Sequence, residues 1–398
     1  MKTFFKINRF DLLTYLFPTI LIMAFLGRGL FNIAFFLSLF IFLSLLKGDE
    51  FKKLIKHPLV KGWSIFVAFV AISQIFAEFP LYSWKKFGVF LFYSYTALFI
   101  GLFLYTLSKQ RILAIRRALY ILAFSLVFTE LITISNVVCG CDVLHYIKKG
   151  EIIPQAANYH LREVFVAISF FLVYDFFSRK SSLLIQLFFF VIPVLGILAS
   201  TSRTAILSFL AALFVYIGLK VRKIFSKEIL FTLLVIAGVS SIAYITFPEI
   251  KQRIDSFKTT FSLHGDRMTG RYDIYLDTFL RIKKRVFTGY GVKSSVVFAQ
   301  KKKMLGGIAK HPHNIFLEVL LDSGLIGFIG FLIFLWFIKN LFDFSMPVVS
   351  AVFIAIFMTS LVSWSIWSAN HISIILFILT LLFGYTETKN MRILPSTR

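Results

Sequence analysis

A histidine and an asparagine stand at the head of a long apolar run: His313-Asn314, then nine residues, then Gly324-Leu325-Ile326-Gly327. An imidazole with its ordinary pKa of about 6.5 is partly neutral near pH 7. His313 can therefore take a proton from an attacking hydroxyl, or donate a hydrogen bond to a phosphate. The competing reading is a ring that caps or packs a loop. Arg203 lies among Thr201, Ser202 and Thr204, and a guanidinium ringed by hydroxyls suits a phosphate. The same cation at a lipid boundary also suits snorkelling to headgroups. Arg271 falls in the first turn of a short helix expected over 270 to 285, with Thr269 as candidate N-cap. The helix dipole disfavours a cation there, so Arg271 makes most sense if an anion shares the site; an ordinary solvated Arg is the alternative. Glu318 and Asp322 follow His313 at i+5 and i+9. Carboxylates are costly deep in lipid. Either the helix from 313 spans and they line a wet cavity, or 313 to 323 lies in the interface and the span starts at Gly324.

Other residues read as structural. Tyr272, Tyr275, Leu276, Phe279 and Ile282 are expected on one apolar side of the 270–285 helix, and Asp277 can pair with Arg281 at i,i+4. Gly289 and Gly291 serve a turn; Gly324, Gly327 and Gly330 mark a close-packing stripe. His311 and His313 flank Pro312, which forces an extended approach so that a helix begins at or just after His313. Two His at that spacing lack any Cys, Asp or Glu partner in a ligand pattern, and the chain has no Asp-x-Asp pair, so no metal site is expected. Cys139 and Cys141 flank one Gly, a spacing too tight for an unstrained disulfide. Trp364, Trp367, Asn370 and His371 are expected in an interfacial belt.

The elements that must position these residues are membrane helices. Of 398 residues 58% are hydrophobic, 51 are Phe and only 16% are charged, far from the soluble balance. Apolar segments lie near 10–26, 29–46, 63–79, 87–107, 118–138, 161–177, 182–199, 204–219, 229–247, 313–338, 347–367 and 371–386. About twelve transmembrane helices follow, because lipid cannot satisfy an open backbone and no period-two alternation suggests a barrel. The chain reads as one membrane domain, 1–398, and as all-α. Basic clusters at 47–61, 109–117, 179–180 and 220–227 alternate with base-poor turns, so the positive-inside rule puts them and both termini in the cytoplasm. The first segment lacks a small-x-small site after it and reads as an uncleaved anchor. A large outer loop, 248–312, is embedded between the ninth and tenth segments. It holds fourteen Lys or Arg against five Asp or Glu between Glu249 and Lys310. Such a loop suits anionic lipid or phosphorylated substrates; nucleic acid is not an expected partner on that face.

From Arg253 to Gly327 the order of these motifs resembles the O-antigen ligase and polymerase superfamily: Thr201-Ser202-Arg203-Thr204 upstream, Gly270-Arg271, Thr288-Gly289-Tyr290-Gly291, then His313-Asn314 and the Gly324–Gly327 pair. The first half of the chain carries only generic hydrophobicity. The resemblance implies a GT-C-like membrane glycosyltransferase of the bacterial inner membrane with its site on the periplasmic face. Its donor would be a glycan on undecaprenyl diphosphate and, for a ligase, its acceptor the lipid A-core oligosaccharide. No cofactor is implied. In that scheme Arg203 and Arg271 hold the leaving diphosphate, Asn314 and Glu318 contribute to substrate binding, and His313 takes the acceptor proton; Glu318 as proton acceptor is the alternative. The complete His-Asn, nine residues, Gly-x-x-Gly spacing tilts toward ligase. Polymerase stands second, with transfer onto protein or a transporter behind it. Transporters place polar groups at the midplane in paired halves, and here they gather at segment ends.

Overall fold

The computed structural model describes residues 8–26, 28–139, 160–178, 182–199, 202–221, 271–300, 311–362 and 365–390. Their regular structure is helical: α1 Arg9–Leu26, α2 Arg28–Leu45, α3 Gly48–Lys56, α4 Pro58–Gln74, α5 Pro80–Leu102, α6 Arg111–Cys139, α7 His160–Phe177, α8 Leu183–Ala199, α9 Arg203–Val221, α10 Arg271–Lys284, α11 Ser294–Gln300, α12 Ile315–Leu341, α13 Pro347–Val362 and α14 Ala369–Asn390. Eleven of the twelve predicted segments coincide with helices, namely α1, α2, α4 to α9 and α12 to α14. The twelfth, 229–247, lies outside the described residues, as do Cys141, Thr269, Trp364 and most of the long loop. Among the described residues four helices are long and apolar enough to cross a membrane, or five if α2 and α3, bent by 116°, count as one span. Five more are apolar but shorter. The protein is a multi-pass, all-helical membrane protein.

Helix starts follow local chemistry. The α4 segment, expected from 63, begins at Pro58, because proline suits the first helical turn and His57 caps it, its Nδ1 accepting the Leu59 N–H at 3.2 Å. Burial lowers the His57 pKa to about 4, which keeps that nitrogen an acceptor.

Packing between helices uses small residues, as expected where lipid gives no hydrophobic drive for helix association. α12 lies along α4, where Gly330 faces Phe66 and Phe69, Gly327 faces Val70, and Gly62 of α4 receives Phe337. Trp63 sits in this seam, its ring edge-on to Phe334 at 5.0 Å. α9 runs beside α13, and the Ser208 and Thr359 hydroxyls meet at 3.0 Å. α14 lies against α5, and the Tyr385 hydroxyl donates to buried Asp175 of α7 at 2.9 Å. Trp367, expected in an interfacial belt, is instead 2% exposed and packs on Phe66 and Phe90.

The 270–285 helix forms as α10, but with a different inner face. Ile274, Asp277, Thr278 and Ile282 are buried, whereas Leu276 and Phe279, expected with Ile282, are exposed. The reason is the Asp277–Arg281 pair at 2.9 Å: once neutralised, it can face the protein, and the Arg281 guanidinium lies over the Phe298 ring at 4.3 Å.

Candidate active site

The site is assembled on α12 and its approach. Asn314 is the N-cap, with extended backbone (φ −148°, ψ 118°), and its Oδ1 accepts the Leu317 N–H at 3.1 Å. The helix thus starts at Ile315, two residues later than a start at His313. His313 has φ 55°, in the left-handed region that side chains rarely occupy, and is half-buried. Its N–H is taken by His311 Nδ1 at 3.1 Å, and the two imidazole centroids stand 4.1 Å apart. Burial first, then the charges of His313, His371 and Lys293, push the His311 pKa down to about 3. The start of α12, the start of α14 with His371, and the loop before α11 with Lys293 therefore converge here.

One and two turns into α12, the carboxylates are fully committed. Glu318 Oε1 accepts from the Ser365 hydroxyl at 2.7 Å and Oε2 from the Ile366 N–H at 2.9 Å. Asp322 accepts from the Lys293 N–H at 2.8 Å, the Ser294 N–H at 3.2 Å and the Ser294 hydroxyl. Both side chains are buried, at 1% and 0% exposure. Glu318 hooks the turn between α13 and α14 onto α12, and Asp322 caps α11 from across the fold. These acids are buried against protein hydrogen-bond donors rather than lining an open cavity, and the helix breaks at Gly324, where the second of the two readings starts the span.

α12 breaks at Gly324, whose φ 60° and ψ −163° are non-helical. The loop after α10 enters that break. Tyr290 N donates to Leu321 O at 2.9 Å, Gly291 N to Asp322 O at 2.8 Å, Leu325 N to Val286 O at 2.8 Å and Ile326 N to Phe287 O at 3.2 Å. The backbone groups left unpaired by the break are thus satisfied by another segment. Gly289 and Gly291, at φ 66° and 103°, make the turn that allows it, and a Cβ on Gly289 would stand 2.6 Å from the Asp322–Gly324 backbone. The expected turn role of these two glycines is what the structure has. Gly324 is a backbone break, whereas Gly327 and Gly330 do form the packing stripe. The end of α4 and the loop after it close the other side: the Glu78 N–H donates to Tyr290 O at 3.0 Å, and Gln74 Oε1 accepts the Val292 N–H at 2.9 Å.

Arg203 and Arg271 are the first residues of α9 and α10; their side chains lie outside the described residues. Because Ser208 pairs with Thr359, the Arg203 end of α9 lies at the end of α13, whose following turn is held by Glu318. Arg271 opens the opposite end of α10 from the loop that enters α12, a helix length of roughly 20 Å away for its 14 residues. Among the described residues no group of three or more His, Cys, Asp or Glu is placed to hold a metal ion.

Sequence reasoning misses the Ser365–Ile366 hook, the Ser294 cap and Gln74. Each is a polar group whose partner lies far along the chain, for which no local pattern exists. His311 reads from the sequence only as a metal-ligand candidate.

An all-helical membrane protein with a histidine pair, a capped helix start and two buried carboxylates on one helix is the class these features define. Residues 188–332 match the model of the O-antigen ligase family. The matched stretch includes Arg203, Arg271, Gly289, Gly291, His313, Asn314, Glu318 and Gly324. No curated protein matches the chain.

Proposed function

We propose that the protein transfers a glycan from undecaprenyl diphosphate to the lipid A-core oligosaccharide at the periplasmic face of the bacterial inner membrane. The observation that carries this reading is His313: a titratable ring in a left-handed turn just ahead of a capped helix, inside the stretch matched to the family. Both substrates carry lipid tails and present their reacting sugars beside the membrane, which suits a site at helix ends. The acceptor hydroxyl oxygen attacks the anomeric carbon, the bond from that carbon to the diphosphate oxygen breaks, and the bonding pair leaves with the diphosphate. One direct displacement inverts the anomeric centre. Arg203 and Arg271 stabilise the leaving charge, as guanidinium forks do. His313 takes the hydroxyl proton; Glu318 suits that task less, since both its oxygens already accept hydrogen bonds. Asn314 offers its amide nitrogen toward substrate, and Glu318 acts on binding through the turn it fixes.

The deciding experiment is the surface-polysaccharide profile of a strain lacking this protein. Long glycan retained on its lipid carrier supports a ligase; core bearing a single repeat would make the protein a polymerase instead.

The reaction is expected to need no metal. With purified enzyme, lipid-linked donor and acceptor, EDTA should leave transfer unchanged, while Arg271→Lys, which keeps the charge and loses the planar fork, should cost nearly as much as Arg271→Ala. Loss with EDTA and rescue by Mg²⁺ would refute this.

In this reading both termini are cytoplasmic and 248–312 is a periplasmic subdomain. In a Cys139→Ser, Cys141→Ser background, Lys301→Cys should react with an impermeant thiol reagent from outside and Lys223→Cys should not. Labelling of both from one side would overturn the orientation.

A further inference from the structure

We infer that His311 is a positioning residue for His313: its Nδ1 accepts the His313 N–H, its ring lies beside the His313 ring, and the two contacts hold the residue after Pro312 in the turn that fixes where its imidazole stands. The inference rests on the reading of His313 as the proton acceptor. Three features of the backbone support it.

A left-handed φ of 55° on a residue other than glycine costs energy and persists only where its surroundings impose it. Downstream, the Asn314 cap fixes the chain. Upstream, the bond from the His313 N–H to a side-chain acceptor two residues earlier closes an Asx-type turn, built with an imidazole nitrogen in place of an amide oxygen. Pro312, between them, has a fixed φ and no N–H to compete.

The chain makes the same His-Pro-x turn elsewhere. His57 Nδ1 accepts the Leu59 N–H across Pro58. There the imidazole is the N-cap of α4. Ahead of α12 the cap is Asn314, so the His311 bond is not needed to start the helix, and what it fixes is His313. An accepting Nδ1 places the ring proton on Nε2. With its pKa held near 3 by burial and by His313, His371 and Lys293, His311 keeps that lone pair throughout the pH range of an assay.

The test is a series at 311 in the full-length protein, measured with lipid-linked donor and acceptor. His311→Ala removes the acceptor and should lower kcat by about ten- to a hundredfold with KM changed by less than about threefold, the pattern of a displaced reacting group. His311→Asn puts Oδ1 where Nδ1 was and should recover kcat to within about threefold of wild type, with an unaltered pH–rate profile. Adding His311→Ala to His313→Gly should reduce the residual rate by less than about twofold, since no side chain then remains to be positioned. An Asn variant as impaired as Ala, or a loss in the double variant as large as in the single, would overturn the positioning role while leaving His313 as proton acceptor. A fully active His313→Gly would instead overturn the catalytic reading, and the positioning role with it.

Discussion

His313→Gly should lower transfer by roughly 10²- to 10⁴-fold, the usual range for loss of a general base, while the folded protein becomes no less stable. The two halves of this expectation come from different atoms. The rate falls because the two carboxylates of α12 are already engaged: Glu318 is occupied by Ser365 and Ile366, and Asp322 by Lys293 and Ser294. Stability holds because glycine adopts φ 55° without the cost that any β-carbon brings, worth about 1 kcal/mol in favourable cases. The Asn314 cap and the N–H to His311 both remain, since they use backbone and neighbouring atoms. His313→Ala is the less informative variant, as it removes the ring and keeps the strain. Transfer by purified enzyme, with thermal unfolding in detergent alongside, measures both quantities. Near-normal turnover would remove His313 from the chemistry; a marked fall in Tm would show that its ring stabilises the fold by packing on His311.

How much of this can be read in the sequence depends on whether the signal is local. Apolar runs such as 347–362 or 371–386 announce helices because each satisfies its own backbone, and the prediction of α13 and α14 needs nothing else. The His313-Asn314 pair and the Gly-x-Gly turn are legible as motifs for the same reason. Other features depend on partners distant in sequence. The inner face of α10 escapes the sequence pattern because Asp277 is hidden only by virtue of Arg281, itself covered by Phe298. Trp367 carries the composition of an interfacial residue, but α4 and α5 bring Phe66 and Phe90 over it. Gly324 lies on the same helical stripe as Gly327 and Gly330, and only the backbone of Val286 and Phe287 marks it as a break rather than a contact. Glu318 and Asp322 illustrate the point most fully: two acids in an apolar run signal function by default, yet the donors that permit their burial come from 28 to 48 residues away.

Gly324→Ala should prevent the protein from accumulating in folded form. The residue sits at φ 60°, ψ −163°, a combination open almost only to glycine, and a Cβ there would run into the Phe287 carbonyl and stand 2.6 Å from the Thr288 nitrogen. Neither obstacle is the movable end of a side chain; both are backbone of the segment that fills the helix break. The conformational penalty and the clash together amount to about 4 kcal/mol or more, a large part of the stability of an ordinary domain. Relief would require the 286–291 segment to withdraw, releasing the bonds from Tyr290 N, Gly291 N, Leu325 N and Ile326 N and uncovering the acceptors of α12. Asp322 would lose its hold on α11 by the same movement, since Lys293 and Ser294 follow closely on Gly291. Gly88→Ala provides the control: Gly88 lies within α5, and a β-carbon added to it would have no other atom within 4 Å, so alanine there should be neutral or stabilising by up to about 1 kcal/mol. Size-exclusion profiles and Tm of the two variants, expressed side by side, separate a damaged interlock from a general intolerance of substitution. A Gly324→Ala protein that is monodisperse, with a Tm equal to that of wild type, would show that α12 can close its break as continuous helix and that the Gly-x-Gly loop is not held there by the backbone.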